Sequence, residues 1–455
     1  MSNVIKIKKG LDINMKGNAK EVTTKVEASE LFSVRPDDFH GIKPKVLVKE
    51  GEKVKVGTVL FQSKTNPEIK FVSPASGEVI AVNRGDRRKV LDIRIKSDGN
   101  FDSVEFPKSA PSNMSAEEVK DALLNSGLFA FIKQRPFDVV ANPSDEPKAI
   151  FISGFDSSPL APNYDGYVMV GREEDFQLGI DALSKLTSGD INIGINARSA
   201  SKIYKGTKGV QLHEFDGPHP AGNVGVQIHH IDPINKGEIV WTINAQDVAT
   251  IGSAFKTGKL NFTKVVALTG SEVINPTYFK MRMGECISNI IANNIQGGED
   301  ANVRYISGNP LTGTQICKDG FLGAYDSQIT VIPEGDQNNE FLGWIMPRLK
   351  KFSVNRSYFS WLLGKDKEYV FDTNLNGGER AFILSGEYDN VFPMDILPEF
   401  LIKAIISQNI DEMEQLGIYE VAPEDFALCE FVCTSKIEAQ RIVREGLDYI
   451  RKELA

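Results

Sequence analysis

Apolar and polar positions alternate most clearly near the N-terminus of the chain. The run KVLVKEGEKVKVGTVL, residues 45–60, alternates around Gly51 and Gly57, and SPASGEVIAV from Ser73 to Val82 repeats the pattern of strand, turn and strand. Alternation with period two, broken by glycines, is typical of short strands joined by tight turns. Residues 1–100 are therefore predicted to form a small β domain with an N-terminal extension.

A different pattern follows a stretch rich in Ser, Pro, Asn and Asp at 97–115, which is predicted to be a linker. Ser115 and Glu118 match a capping box at the start of a helix. The strands AIFIS at 149–153 and INIGI at 191–195 flank the helical stretch EDFQLGIDALSKL. Strand, helix and strand in this order predict a parallel sheet, so residues 116–257 are predicted to form a Rossmann-like α/β domain.

Two further units complete the predicted organisation. In residues 258–331, VVALTG and TYFKM predict a hairpin, GECISNIIANN a helix, and VRYIS a further strand, an order typical of a β-grasp module. In residues 332–455, DILPEFLIKAIISQ and the stretch from Pro423 onward have helical apolar spacing with a proline in the first turn. The predicted fold class is therefore multidomain α/β with a mainly helical C-terminal domain.

Composition narrows the classes of function. The 455-residue chain has a formal net charge of −9, which gives no basic field for a nucleic acid partner. No window approaches the roughly 20 apolar residues that a membrane helix needs, so membrane contact is expected through partners only. Four cysteines without a secretion signal predict reduced thiols and a cytoplasmic location.

The N-terminal β pattern resembles the lipoyl and biotinyl carrier half-barrels, in which a modified lysine lies on the hairpin between the two halves. In carriers that lysine stands seven residues before the serine of the turn, and here the position is occupied by Asn66. Lys64 and Lys70 are interpreted as solvated hairpin charges. The domain is therefore predicted to be a scaffold or docking element.

The usual signatures of bound cofactors are also absent from the sequence. The turn after the first α/β strand reads GFDSSPLAP from Gly154 and lacks the glycines that a dinucleotide pyrophosphate requires. Cys429 and Cys433 have the C-x3-C spacing that ends a ferredoxin ligand run, but Pro423 and Phe426 occupy the two preceding ligand positions. We therefore predict no iron–sulfur cluster, no tightly bound cofactor and no catalytic residue in this chain.

Four of the five histidines lie in the stretch HEFDGPHPAGNVGVQIHH, residues 213–230. Its glycines and prolines would scatter the imidazoles, so no metal site is predicted. The alternative hypothesis is a backbone-rich loop that packs against a ligand or a neighbouring domain, and an ordinary loop between strands is equally compatible. The residues of this candidate loop are Gly217, His219, Pro220, Gly222 and His229.

Residues 341–363 interleave aromatic side chains with Arg348, Lys350, Lys351 and Arg356. Such a mixture suits a partner surface or a lipid interface. A partly buried helical hairpin is the alternative interpretation.

Long ordered blocks carry a resemblance over essentially the whole chain. They are IKIKKGLDI at 5–13, GPHPAGNVGVQIHH at 217–230, VALTGSEVINPTYF at 266–279, FPMDILPEFLIKAI at 392–405 and FALCEFVC at 426–433. With these blocks the chain resembles the A-subunit family of the bacterial sodium-translocating NADH:quinone reductase. It is also similar to the C subunit of the Rnf complex and to the flavin-carrying subunit of complex I.

The resemblance implies a subunit of a membrane complex that oxidises NADH, reduces ubiquinone and exports Na+. It implies a lipoyl-like barrel-sandwich hybrid and an SLBB-like β-grasp module, and a peripheral position on the cytoplasmic side of the bacterial inner membrane. Where flavin-binding relatives have a glycine-rich loop, this chain has bulky residues from Ser126 to Phe137. NADH, flavins and iron–sulfur clusters are therefore expected in partner subunits.

A quinone headgroup requires apolar walls and a few hydrogen-bond donors. The segment FIKQRPF offers both, and ubiquinone is a candidate substrate there. The hypothetical contact residues are Phe131, Lys133, Gln134, Arg135 and Phe137. Two alternatives stay open at this point, a purely structural platform for the membrane subunits and a freestanding NADH-flavin dehydrogenase.

Overall fold

The computed structural model describes residues 4–199, 202–336, 348–364 and 366–454. Residues 341–347 of the aromatic and basic segment lie outside the described residues. Two short strands near the N-terminus, β1 (Ile5–Lys6) and β2 (Lys20–Thr23), join sheets formed mainly by later parts of the chain. The N-terminal extension therefore ties together elements that are distant in sequence.

The N-terminal β domain consists of two small antiparallel sheets that share one core. A four-stranded sheet has the order β3-β9-β8-β5, and a three-stranded sheet has the order β4-β6-β7. Phe39, Phe61 and Phe71 pack in this core, with the Phe61 and Phe71 rings stacked at a centroid distance of 4.5 Å. The strands are β3 (Leu31–Val34), β4 (Pro44–Val46), β5 (Lys53–Val54), β6 (Val59–Ser63), β7 (Lys70–Val72), β8 (Gly77–Arg84) and β9 (Val90–Ser97).

The β6-β7 hairpin, where a carrier lysine would lie, docks on the α/β domain. Asn66 Nδ2 donates to Asn142 Oδ1 at 3.1 Å, and Lys70 Nζ donates to Asn125 Oδ1 at 2.6 Å. Lys64 is exposed, as expected, but Lys70 is half-buried. Lys70 therefore also contacts the neighbouring domain, through an exposed hydrogen bond to a neutral amide.

The α/β domain contains a seven-stranded sheet in the order β1-β14-β13-β12-β15-β10-β11. Strands β1, β14, β13, β12 and β15 are parallel, whereas β10 and β11 are antiparallel to their neighbours. Its elements are α1 (Ala116–Ser126), β10 (Lys133–Arg135), β11 (Val139–Val140), β12 (Ala149–Ser153), α2 (Glu173–Leu183), β13 (Asp190–Asn196), α3 (Lys202–Gly206), β14 (Gln211–Asp216), α4 (Val224–Ile231), β15 (Val240–Thr242) and α5 (Ala245–Thr257). The predicted capping box at Ser115 and Glu118 is present.

Helices α2 and α5 approach each other closely because glycines lie at their contact. A Cβ atom on Gly252 would lie 1.8 Å from the carbonyl oxygen of Asp175, and one on Gly179 would lie 2.1 Å from that of Val248. Both obstacles are backbone atoms, which cannot move aside as a flexible side chain would. The two helices thus pack backbone against backbone on one face of the sheet.

Gly252→Ala is therefore expected to lower the free energy of unfolding by about 1–3 kcal/mol, the usual cost of overpacking a tight interior. Urea unfolding of the full chain measures it. Gly378→Ala is the matched control, because a Cβ atom there meets nothing within 4 Å. Equal effects of the two substitutions would contradict the close packing of α2 and α5.

The third unit is a six-stranded sheet in the order β19-β18-β20-β16-β17-β2. Its buried side includes Val266, Leu268, Phe279, Ile329 and Val331. The elements are β16 (Thr263–Thr269), β17 (Thr277–Arg282), α6 (Ser288–Ile291), β18 (Val303–Ser307), β19 (Thr314–Ile316) and β20 (Gln328–Pro333). Helix α6 is shorter than predicted because Ala292 leaves the helical conformation and Asn293 adopts a left-handed one, with φ of 55°.

The C-terminal region is helical from Tyr388 onward. Its helices are α7 (Tyr388–Val391), α8 (Pro398–Ile406), α9 (Ile410–Gln415), α10 (Ala427–Val432) and α11 (Ala439–Glu453). Cys429 and Cys433 are buried free thiols. They do not share one continuous helix, because α10 ends at Val432. Within the described ranges, no helix has the length and apolar character needed to cross a bilayer.

Candidate functional site

A cavity of about 220 Å³ lies at the carboxyl ends of the neighbouring parallel strands β12 and β15. Ser153 ends β12 and Thr242 ends β15, and both line the cavity. From β12 the chain continues to β13 on one side of that strand, whereas β15 lies on its other side. The strand order therefore reverses between β12 and β15. Ligands of open α/β sheets bind outside the carboxyl ends of strands where the order reverses. We call this space the sheet-edge cavity.

The walls of the sheet-edge cavity come from distant parts of the chain. Apolar surface is supplied by Phe131, Phe155, Ile243 and Leu311. The loop before α4 contributes His219 and Gly222. Two segments that the sequence singled out separately, at 131–137 and at 217–229, are thus brought together by Phe131, Lys133, His219 and Gly222.

Lys133 supplies the positive charge of the cavity wall. Its Nζ lies 4.8 Å from the ring centroid of Tyr325 and 3.5 Å from Asp138 Oδ1, and 34% of its side chain is exposed. Burial tends to raise the pKa of Asp138, but the charges of Lys133 and Arg135 outweigh it and leave that pKa lowered. The ammonium group is therefore held over an aromatic face by a carboxylate that stays ionised.

The other three residues of the FIKQRPF hypothesis have different partners and do not line the cavity. Gln134 Nε2 donates to Asp145 Oδ2 at 3.0 Å, in the loop between β11 and β12. Arg135 is fully buried and pairs with Glu424 and Asp425 of the helical region. The Phe137 ring packs edge-on against Tyr419 at 6.3 Å. Alternation along β10 turns only Gln134 away from Lys133. Arg135 lies on the same face as Lys133 but is taken up by its two ion pairs, and Phe137 lies beyond the strand.

His219 anchors the loop before α4. Its backbone N–H donates to Asp12 Oδ1 at 2.9 Å, and its Nδ1 lies 3.0 Å from Ser157 Oγ. The same hydroxyl accepts a hydrogen bond from the N–H of Gly222 at 2.8 Å. Burial lowers the pKa of His219 to about 4, so the ring is neutral at pH 7.

This burial gives a pH dependence of stability with a definite sign. In the unfolded chain a histidine has a pKa of about 6.5, so between about pH 6.5 and 4 the unfolded state binds the extra proton and the folded state does not. His219 therefore removes stability as the pH falls from 7 to 5, by about 2 kcal/mol. His219→Gln is expected to reduce the difference in unfolding free energy between pH 7 and pH 5 by that amount. Between pH 7 and pH 8, where both states are neutral, wild type and variant should change equally.

The remaining members of the candidate loop contact other parts of the chain. His229 lies within α4, not in a loop, and its Nδ1 is 2.7 Å from Glu420 Oε2 while its Nε2 accepts from the N–H of Asp395. Gly217 has a φ of 159°, and a Cβ there would lie 2.3 Å from the carbonyl oxygen of Ile7. Pro220 follows His219 and does not line the cavity.

Several polar side chains that the sequence did not single out line the sheet-edge cavity, among them Ser158, Tyr164 and Asn244. Ser158 is only 8% exposed, and its hydroxyl has no hydrogen-bond partner. Tyr164 accepts a hydrogen bond from Asn244 Nδ2 at 3.2 Å. Burial, assisted by the charge of Asp156, raises the pKa of Tyr164 to about 12, so its hydroxyl keeps its proton. The cavity thus has hydroxyl donors on one side and Lys133 on another.

Among the described residues, the wall of the sheet-edge cavity carries three carboxyl groups, those of Asp138, Asp156 and Glu424, and one ammonium group, that of Lys133. Burial raises the pKa of Glu424 to about 7. Burial raises the pKa of Asp156, which accepts a hydrogen bond from the N–H of Ser158 at 2.8 Å. Such a wall suits an uncharged ligand with hydrogen-bond acceptors better than a pyrophosphate. Across the described part of the chain, no group of three or more His, Cys, Asp or Glu side chains has the geometry to hold a metal ion.

Family models match three stretches of the chain, and curated proteins match it over its length. The matches are "NqrA N-terminal barrel-sandwich hybrid domain" at residues 5–98, "NqrA second alpha/beta domain" at 114–260 and "NQRA C-terminal domain" at 265–318. Proteins named as the A subunit of Na(+)-translocating NADH-quinone reductase from Neisseria meningitidis serogroup B and serogroup A are 39% and 40% identical, each over 99% of this chain and 100% of the relative. The protein of that name from Yersinia pestis is 37% identical with the same coverage.

The chain belongs to the NqrA family, the A subunits of the Na(+)-translocating NADH-quinone reductase. The resemblance seen in the sequence blocks is confirmed. The predicted fold class is also confirmed, with a barrel-sandwich hybrid, an α/β domain, an SLBB-type module and a helical C-terminal region.

Proposed function

We propose that this chain serves as one component of a complex that oxidises NADH, reduces ubiquinone and exports Na+, and that it holds the quinone ring in the sheet-edge cavity. The observation that carries the proposal is full-length similarity to proteins named as the A subunit of such an enzyme. The cavity adds a place for the ring, because Phe131 and Lys133 line it together with His219 and Gly222.

The size of the cavity suits a six-membered ring. An apolar cavity of about 150 Å³ accommodates benzene, and the sheet-edge cavity measures about 220 Å³. Its apolar walls fit the faces of a quinone ring, and its donors fit the two carbonyl oxygens. Ser158 has a buried hydroxyl without a partner, which a carbonyl oxygen would satisfy.

Reduction of a quinone places negative charge on its carbonyl oxygens. The ammonium group of Lys133, one-third exposed toward the cavity, would stabilise that charge. Tyr164, which keeps its proton, would hold a further hydrogen bond to a reduced oxygen. These groups bind and polarise the ring, and the electrons would come from partner subunits.

The partner subunits would hold the NADH, flavins and iron–sulfur clusters. Three carboxyl side chains in the wall of the sheet-edge cavity disfavour the pyrophosphate of NADH or a flavin dinucleotide. In this proposal the chain is peripheral, on the cytoplasmic side of the bacterial inner membrane, and contacts the membrane through partners. The candidate loop at 217–229 serves both ligand and domain contacts, through His219 and His229 respectively.

Two measurements test the proposal. An affinity-tagged chain expressed in its native cell should co-purify with membrane subunits, which a freestanding dehydrogenase would not do. Calorimetric titration of the purified full chain with a tail-less ubiquinone ring should give saturable binding, about tenfold weaker in Lys133→Met. Because Cys317 is an exposed thiol that quinones can alkylate, the titration uses a Cys317→Ser background.

The outcomes separate the candidate functions. Co-purification without any quinone binding would favour a purely structural platform and contradict the quinone role. A yellow purified protein with stoichiometric flavin would favour the freestanding NADH-flavin dehydrogenase.

A further inference from the structure

A second cavity lies where β20 of the six-stranded sheet meets helices α10 and α11 and the segments 351–358 and 370–376. Its volume is about 410 Å³, within the roughly 300–1,000 Å³ typical of small-molecule pockets. Phe352, Phe371 and Phe431 form an aromatic cluster in its wall, with centroid distances of 5.6 to 6.3 Å. Ile13 and Met15 add aliphatic surface. We call this space the apolar cavity.

Three charged side chains in the wall of the apolar cavity have partners within the protein. Lys351 Nζ lies 3.2 Å from Asp372 Oδ2. Glu430 accepts a hydrogen bond from the N–H of Gln440 at 2.9 Å, and burial raises the pKa of Glu430. Lys436 also lines the wall and is half-buried. The aromatic cluster favours a hydrocarbon occupant, because burial of apolar surface is the main attraction that it offers.

Leu311 lines both the apolar cavity and the sheet-edge cavity. Of its two neighbours along the chain, Pro310 lines the apolar cavity and Thr312 lines the sheet-edge cavity. The loop is fixed, because Asn309 Oδ1 accepts from the N–H of Leu311 at 2.8 Å and Gln440 Nε2 donates to the Leu311 carbonyl oxygen at 3.1 Å. The two cavities therefore adjoin at Leu311, and a molecule whose ring occupies one of them has the other beside it.

We propose, resting on the quinone function above, that the apolar cavity binds the first isoprenoid units of the tail of a quinone whose ring occupies the sheet-edge cavity. The tail is a hydrocarbon chain attached directly to the ring, so it must leave the ring site through a neighbouring apolar space. Val354, Val370 and Leu375 also line the apolar cavity and form an apolar rim, since they are 40%, 48% and 63% exposed. The rest of the tail leaves through this apolar rim.

Two quinones with the same ring, one without a tail and one with two isoprenoid units, test the proposal by calorimetry on the full chain in the Cys317→Ser background. In this parent protein the tail should tighten binding by about tenfold or more, since each buried methylene group contributes to affinity. Val370→Trp and Ala427→Phe each fill the apolar cavity, one from its exposed edge and one from α10. In each variant the tailed quinone should bind only about threefold more tightly than the tail-less ring, or less, and the affinity for the tail-less ring should be unchanged.

Val170→Trp is the matched control, because Val170 is 64% exposed and does not line either cavity. It should keep the full gain from the tail. Equal affinities of the two quinones, or a full gain in both filled variants, would overturn the tail site. Titration with decanoate tests whether the apolar cavity is a general site for acyl chains. If decanoate binds as tightly as the tailed quinone and displaces it, the assignment to a quinone tail is overturned. Failure of the tail-less ring to bind at all would instead contradict the proposed function.

Discussion

Replacing Arg135 with methionine is expected to lower the free energy of unfolding by about 3–5 kcal/mol, the cost of leaving a buried charge without its partner. Arg135 is 1% exposed, and its Nη1 lies 3.0 Å from Asp425 Oδ2, which is equally buried. Its Nη2 lies 2.6 Å from Glu424 Oε1. The guanidinium group thus joins β10 of the α/β domain to the turn before α10.

The surroundings leave no room for rearrangement around this ion pair. A Cβ atom on Gly225 would lie 2.3 Å from Arg135 Nη1 and 2.6 Å from Asp425 Oδ1. Without the arginine, Asp425 keeps the hydrogen bond from the N–H of Ala422 but loses its countercharge. Burial already tends to raise the pKa of Asp425. The loss of unfolding free energy in Arg135→Met should therefore be smaller in acid, where Asp425 takes up a proton.

Urea unfolding at pH 7 and pH 5 measures the effect of Arg135→Met. Arg441→Met is the matched control, since Arg441 also pairs with two carboxylates, those of Glu438 and Glu445, but is 57% exposed. Exposed pairs contribute little, so that variant should lose about 1 kcal/mol or less. A loss of the same size in both variants would mean that Arg135 does not hold the two domains together.

Thr312→Trp is expected to weaken binding of a tail-less ubiquinone ring by about tenfold or more. Thr312 is exposed and lines the sheet-edge cavity, so an indole there would fill the space without disturbing the interior. The loop that carries it is held by Asn309, whose side-chain oxygen accepts a hydrogen bond from the backbone N–H of Thr312 at 3.0 Å, a bond that the substitution keeps. The new side chain is therefore directed over the cavity and cannot swing away with a mobile loop.

Calorimetry in the Cys317→Ser background measures this loss. Thr314→Trp provides the control, because Thr314 is also exposed, lies two residues away on the edge strand β19 and does not line the cavity. It should bind the ring as the parent protein does. Unchanged binding in Thr312→Trp, with a folded protein, would exclude the sheet-edge cavity as the ring site.

The patterns that depend on local chemistry were readable from the sequence. Strand β12, the capping box at Ser115 and the burial of Cys429 and Cys433 follow from alternation, spacing and apolar character. Helix α4 was missed because Gly222 and Gly225 obscure its start and suggest a continuous loop. The boundaries at 100, 116, 258 and 332 stay predictions.

The candidate site depends on contacts between residues that are far apart along the chain. Nothing near Arg135 in sequence indicates that its partner is Asp425, 290 residues away. Ser158 and Tyr164 carried no recognisable motif, although both follow a buried parallel strand, a position that could have marked them. Of the FIKQRPF residues, Phe131 and Lys133 line the sheet-edge cavity, and their contact with a quinone stays a prediction. The sequence could not show that Arg135 and Phe137 are drawn to partners in the helical region.

Photoreactive labelling tests the central claim most directly. A ubiquinone analogue with a photoreactive group on the ring, added to membranes that contain the complex and followed by peptide mapping, should mark this chain at residues 131–133, 153–158 or 219–224. Excess ubiquinone and Thr312→Trp should each abolish the label. Labelling confined to other segments, or unaffected by both, would contradict a quinone ring in the sheet-edge cavity.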